Sequence, residues 1–178
     1  MIQKREFVIR ELKRKDREDL IRNYYGYYDE VRRNPLLGTT HYEKNPTMKA
    51  EIRWFNDLLK EVKRGNSIVS IAEVDGRVIG LCEVRPFLNR VEHKHIGTLG
   101  IAIIEGYRGK GVGSALIEDV LRRARERYNL VVLTVFGNNG HAQNLYKKFG
   151  FKEYGRLPKG IIRGKMKIDD VFMYRELD

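Results

Sequence analysis

Between residues 106 and 116 the chain reads GYRGKGVGSAL, with four glycines in eight positions and Arg108 and Lys110 set between them. The apolar run LGIAII precedes this stretch at 99–104, and apolar residues at helical spacing follow it. A strand, a glycine-rich turn and a helix start in succession make an anion site. The first N–H groups of a helix have no internal partner, and the helix dipole favours negative charge there. Glycine removes the Cβ that would hold a phosphate away from the backbone. The chemistry these residues offer is therefore phosphate binding.

The spacing discriminates among known phosphate loops. A nucleotide P-loop requires Gly-Lys-Ser/Thr, but Lys110 is followed by Gly111. A dinucleotide fingerprint requires G-x-G-x-x-G. Counted from Gly109 the last place holds Ser114, and from Gly111 it holds Leu116. Arg108-Gly109-Lys110-Gly111-Val112-Gly113 instead fits R/Q-x-x-G-x-G/A. That segment resembles the acyl-CoA pyrophosphate loop of the Gcn5-related N-acetyltransferase (GNAT) superfamily. Three more stretches resemble the family in the same order. HIGTLGIAI (95–103) is similar to its fourth strand, and IDDVFMYREL (168–177) to its last. NNGHAQNLYKKFGF (138–151) is similar to its N-x-x-A-x-x-x-Y-x-x-x-G-F segment through Asn139, Ala142, Tyr146, Gly150 and Phe151. Residues 67–178 carry the resemblance, while 13–66 match only in helical pattern.

The resemblance implies a single N-acetyltransferase domain over 1–178. It also implies an α/β (α+β) fold with a mixed sheet of about seven strands, four helices, and parallel strands splayed at the CoA site. It assigns the pyrophosphate to backbone N–H groups of Arg108, Gly109, Lys110, Gly111, Val112 and Gly113. The Ser114 hydroxyl adds a hydrogen bond, and Arg108 and Lys110 supply charge. The pantetheine arm is expected along Ile101, Ala102 and Ile103, using main-chain groups as an added strand would, and Asn139 is expected to contact that arm. Tyr146 is the expected general acid, since a phenol of pKa about 10 is protonated at neutral pH and can donate to a departing thiolate. Many relatives carry a glutamate base on the fourth strand, and the position aligned with it here is Gly97. Glu83, Glu92 and His95 are the remaining candidates for the base. The co-substrate implied is acetyl-CoA, the partner is an amine-bearing acceptor, and a homodimer is compatible. A water chain can also take the proton of the ammonium without one essential base. The alternative that the missing glutamate raises is a CoA-binding sensor or interaction module without turnover.

These groups need elements to position them. Phe7–Leu12 alternates as a strand, and Asp16 with Asp19 reads as a capping box opening a helix with the stripe Leu20, Tyr24, Tyr28 and Val31. Asn34–Pro46 is a loop, and a second helix carries Ile52, Phe55, Leu59 and Val62 on one face. Tyr25 and the loop Leu36–Tyr42 are expected on the acceptor side, with Asp29, Glu30, Glu43 and Glu51 as acidic groups nearby. Ser67–Val74 and Arg77–Arg85 flank Asp75-Gly76, a preferred hairpin turn. Leu99–Ile104 and Leu130–Val135 are apolar throughout, as strands buried on both faces are, with a helix over Gly111–Tyr128 between them. A short helix over His141–Phe149 and strands at Phe151–Leu157 and Val171–Leu177 complete the order β-α-α-β-β-β-α-β-α-β-β.

Bulk properties agree with such a domain. The chain has 178 residues, 42 % hydrophobic and 33 % charged, with net charge +11 spread along its length. No basic block or aromatic-basic motif points to nucleic acid. No run approaches a membrane span, and the N-terminus lacks a signal-peptide core. The single cysteine, Cys82, excludes an intramolecular disulfide and fits a reducing cytoplasm as a small buried residue. The four histidines, His41, His93, His95 and His141, show no metal-ligand spacing.

Overall fold

A computed structural model describes residues 7–38 and 44–177. His41, Tyr42 and Glu43, considered above for the acceptor side, lie outside the described residues. Seven strands and four helices follow in the expected order: β1 (Val8–Glu11), α1 (Arg17–Arg33), α2 (Met48–Lys63), β2 (Ile68–Val74), β3 (Arg77–Pro86), β4 (Ile96–Ile103), α3 (Val112–Ala124), β5 (Leu130–Phe136), α4 (Gly140–Lys148), β6 (Lys152–Arg163) and β7 (Met166–Glu176). They form one sheet in the order β1-β2-β3-β4-β5-β7-β6. All neighbours are antiparallel except β4 and β5.

The β4–β5 pair carries the main functional consequence. Only Ile96, Gly97 and Thr98 pair with β5, opposite Leu130, Val131 and Val132. Beyond that point the two strands splay. Their continuous apolar sequences suit strands covered on both faces. One cover is α3, which packs Val112, Leu116, Ile117, Val120 and Leu121 against Cys82, Val84, Leu99, Val131 and Leu133. On the opposite face α1 and α2 cover β2 and β3 instead, where Leu20, Phe55, Leu58 and Leu59 bury Val69, Ile71 and Leu81, while Thr98 and Gly100 of β4 are half-buried and Thr134 of β5 is exposed, against the expectation of burial on both faces.

The hairpin between β2 and β3 turns through Asp75 at φ 50° and Gly76 at φ 78°, the left-handed pair such a two-residue loop requires. Thr47 caps α2 by accepting from Ala50 N at 3.2 Å. The start of α1 differs from the expected capping box. Asp16 closes a 3-10 turn (Arg14–Asp16) and is held by Lys13 N at 2.7 Å and by both Arg10 Nη atoms at 2.8 Å. Asp19 accepts from Val78 N at 2.9 Å and so ties α1 to β3. The closing hairpin is also longer than the sequence suggests. Residues 161–163 pair with 166–168 beyond a bulge between Leu157 and Ile161, where exposed polar residues and Pro158 erase the period-two pattern.

Candidate active site

The backbone of β4 faces two ways. Ile104 N donates to Ile79 O at 3.0 Å and Phe87 N donates to Ile96 O at 3.1 Å. By antiparallel alternation, the even-numbered residues of β4 therefore bond to β3. The odd-numbered ones direct their N–H and C=O away from β3. Gly97 lies within the stretch paired to β5, whereas Ile101 and Ile103 face the splay. The carbonyl of Ile103 accepts from Arg108 Nε at 2.8 Å. The N–H and C=O of Ile101 remain directed into the opening, as a strand-like ligand would need. The N–H and C=O of Ala102 are directed toward β3.

At the C-terminal end of β4 the chain enters the glycine-rich loop. Gly109 (φ 72°) and Gly111 (φ 85°) are left-handed, a conformation that costs any residue with a Cβ, and neither would bring a Cβ within 4 Å of another atom. Their backbone is thus both bent and open to solvent. Gly111 is the N-cap of α3, and its first turn contains neither an acidic residue nor a side-chain cap. The N–H groups of Val112, Gly113 and Ser114 are free for an external anion. Gly113 serves another purpose. A Cβ there would lie 3.1 Å from Leu145 Cδ2 and 3.3 Å from Ile103 Cδ1, so glycine lets α3, α4 and β4 meet.

The two cations of the loop have separate environments. Lys110 is exposed, with Nζ 5.6 Å from the Tyr107 ring centroid. Arg108 is not a free cation awaiting phosphate. Its guanidinium grips the Glu30 carboxylate in a two-pronged pair, with Nη2 to Oε2 at 2.7 Å, while Nε holds Ile103 O. The Glu30 side chain is only 9 % exposed. Arg108 thereby bolts the loop to α1 and to the end of β4.

Opposed residues of a ladder point to the same face. On the face of α1 and α2 stand Leu81, Glu83 and Arg85 of β3, opposite Ala102, Gly100 and Thr98 of β4. On the α3 face stand Cys82 and Val84, opposite Ile101 and Leu99. Glu83 is 5 % exposed, and its Oε2 has no hydrogen-bond partner among the described residues. Its Oε1 lies 2.9 Å from Arg85 Nε. Burial pushes the Glu83 carboxyl above the usual carboxylate range, and the Arg85 charge opposes that only in part. Tyr24 packs edge-on against Trp54 and Tyr27 with centroids 4.6 and 5.9 Å apart, and its hydroxyl feels the charges of Glu83 and Arg85.

Gly97 proves to be the wrong place to look for a carboxylate. It lies on the α3 face, and a Cβ there would fall 2.4 Å from Val84 Cγ1 and 3.1 Å from the Tyr128 ring. The position adjoining Glu83 is Gly100, where a Cβ would lie 3.6 Å from Glu83 Oε1, in ordinary contact. His95 is a further correction. It is exposed at the start of β4, where its carbonyl accepts from Asn129 N and Leu130 N. Six residues of strand, about 20 Å, separate it from Ile101. Glu92 is likewise exposed, in the turn preceding β4.

Tyr146 lies on α4, 7 % exposed, with its ring 5.9 Å from that of Phe151. Its hydroxyl has no hydrogen-bond partner among the described residues. Burial, and secondarily the proximity of Cys82, push its phenol above the ordinary range, so it stays protonated. Cys82 is fully buried. Asn139 caps α4, accepting from Ala142 N at 3.1 Å, and Gly38 closes over it so tightly that a Cβ would meet Nδ2 at 2.6 Å. Tyr28 is buried, and Tyr25 donates to Pro46 O at 2.9 Å, which ties α1 to the following loop. Sequence reading missed Arg85 and the Glu30–Arg108 pair. The two-residue spacing of Glu83 and Arg85 on one strand could have signalled the former. No group of three or more His, Cys, Asp or Glu suited to a metal occurs among the described residues. No helix among them is long and apolar enough to cross a membrane.

Comparison with known proteins agrees with this geometry. Over 104 residues the chain is 36 % identical to an N-alpha-acetyltransferase of Sulfurisphaera tokodaii, covering 53 % of this chain and 62 % of that protein. Over 107 residues it is 30 % identical to the L-amino acid N-acetyltransferase AaaT of Escherichia coli, covering 59 % of this chain and 65 % of that one. The chain thus spans less than two thirds of the length of these relatives. The crystal structure of a GNAT-family acetyltransferase from Streptococcus pneumoniae superposes with a TM-score of 0.80 at 25 % identity, covering 97 % of this chain and all of that one. The model of the Acetyltransferase (GNAT) family matches residues 24–151. On that match, spanning most of its length, the chain belongs to the GNAT acetyltransferase family.

Proposed function

We propose that the chain transfers the acetyl group of acetyl-CoA to a primary amine by direct attack. One observation carries the reading. The opening between β4 and β5 has a desolvated carboxylate, Glu83, on one face of the sheet and a desolvated phenol, Tyr146, from the helix layer on the other. A base and an acid on opposite sides of a strand-like cleft suit an acyl transfer whose donor lies in the cleft.

The pyrophosphate of CoA meets the N–H groups of 109–114, and the pantetheine arm extends along Ile101. The amine enters from the α1 and α2 face. Glu83 accepts its proton, and nitrogen attacks the thioester carbonyl, whose oxygen takes charge as the C–N bond forms. The Ile101 N–H is oriented to stabilise that oxygen. The C–S bond then breaks, the thiolate takes the proton of Tyr146, and the nitrogen loses its remaining excess proton to solvent, which also returns Tyr146 and Glu83 to their starting protonation states. The products are an acetylated amine and the free thiol of CoA. This reading puts the chain in the cytoplasm, where acetyl-CoA is at hand, with no membrane or nucleic-acid partner.

The two relatives above, an N-alpha-acetyltransferase and an L-amino acid N-acetyltransferase, support an α-amine as the acceptor, at a protein N-terminus or on a free amino acid. A CoA-binding module without turnover drew its case from the lack of a carboxylate on β4, and the buried Glu83 on β3 favours turnover over that alternative. The test is thiol release from acetyl-CoA with a panel of amines. Glu83→Gln should lower kcat/KM by about 10²-fold or more. Tight CoA binding without thiol release for any acceptor would refute the reading.

A further inference from the structure

Glu83 and Arg85 form an ion pair with unused capacity on both partners. Glu83 Oε2 is buried with no hydrogen-bond partner among the described residues, while Arg85 is 50 % exposed and meets Glu83 with Nε 2.9 Å from Oε1. The four terminal N–H groups of Arg85 have no hydrogen-bond partner among the described residues. A buried carboxylate oxygen without a donor costs free energy unless a ligand supplies one. Beside it stands a guanidinium fork that matches a carboxylate in shape and charge. Both side chains point to the face of α1 and α2, over Thr98 and Gly100.

We infer that Arg85 is an acceptor-recognition residue that binds the carboxylate of a free α-amino acid while Glu83 receives its amine. This rests on the reading that Glu83 faces the amine. The pair presents a negative and a positive group a hydrogen-bond length apart. An α-amino acid presents an ammonium and a carboxylate at similar spacing, and the two sets pair in reverse order. A peptide N-terminus offers only a neutral carbonyl at that place, which forfeits the charge assistance. A diamine puts a second cation beside Arg85 and is repelled. Tyr24, edge-on to Trp54 with centroids 4.6 Å apart, is close enough to feel the charges of both members of the pair.

The experiment compares L-amino acids with their α-amides and with the corresponding decarboxylated amines, each at matched free-amine concentration, using the full chain and acetyl-CoA. The free acids should exceed the amides in kcat/KM by about tenfold to a hundredfold, the worth of one charge-assisted pair. Arg85→Gln should collapse that ratio toward one, and Arg85→Lys should restore part of it. Amides turned over as well as acids, or an Arg85→Gln variant slowed equally on both, would overturn this assignment and leave acetyl transfer standing. Absence of thiol release with every acceptor would overturn both.

Discussion

Glu83 on β3 stands directly across the ladder from Gly100 on β4, with its Oε1 3.6 Å from the point where a side chain on β4 would begin. The fourth strand has no acidic residue, yet its acceptor face still meets one. Burial raises the Glu83 carboxyl, so folding favours its neutral form and opposes its charged one. Stability from the neutral carboxyl is fully present below the unfolded value, about 4.3, and is lost as pH rises through the higher folded value. Glu83→Gln should therefore melt a few degrees higher than the wild type near pH 8, while losing activity. The gain should vanish at pH 4. Thermal melts across pH check this; a variant less stable at pH 8 would contradict it.

The two glycines of β4 should respond differently to the same added methyl. At Gly97 a Cβ would fall 2.4 Å from Val84 Cγ1, inside a packed core. Gly97→Ala should cost about 1–3 kcal/mol. At Gly100 the nearest atoms are Glu83 Oε1 at 3.6 Å and Cγ at 3.7 Å, ordinary contacts. Gly100→Ala should change stability by less than about 1 kcal/mol and act mainly on turnover. Denaturant unfolding of both variants measures the difference.

The Glu30–Arg108 pair should link cofactor affinity to α1. Removing either partner frees the loop from α1 and leaves the other charge partly buried. Glu30→Gln and Arg108→Gln should each raise KM for acetyl-CoA several-fold with a smaller change in kcat. Arg108 is about a third exposed, so solvent screening limits the loss, and a coupling of about 1 kcal/mol is expected. A double-mutant cycle on acetyl-CoA binding tests it; additive effects would show that the pair does not act as a unit.

Tyr146 is held protonated by burial, with Cys82 adding to the effect. Tyr146→Phe should lower kcat by about 10²-fold while the acetyl-CoA dissociation constant moves little. In the wild type no alkaline loss of activity from this phenol should appear below about pH 10. Stopped-flow thiol release at several pH values is the measurement. Unchanged turnover in the variant would remove Tyr146 from the proton path.

The glycine spacing at 109–113, the apolar runs of β4 and β5 and the helical stripes are local properties. They let the sequence determine the order of elements and the phosphate loop by itself, because backbone conformation and burial period are written within a few neighbouring residues. What it could not decide depended on register. Whether Gly97 or Gly100 faces the acceptor follows from ladder pairing, and a shift of one residue reverses every side chain. His95 looked near the site in sequence and lies at the far end of the strand, while Glu30 and Arg108 meet across 78 residues. The loop could be read because its chemistry is carried by one continuous backbone. Glu83 as the proposed proton acceptor, and its pairing with Arg85, became visible only in the tertiary structure, because ladder register sets both on the face of α1 and α2, where Glu83 is buried.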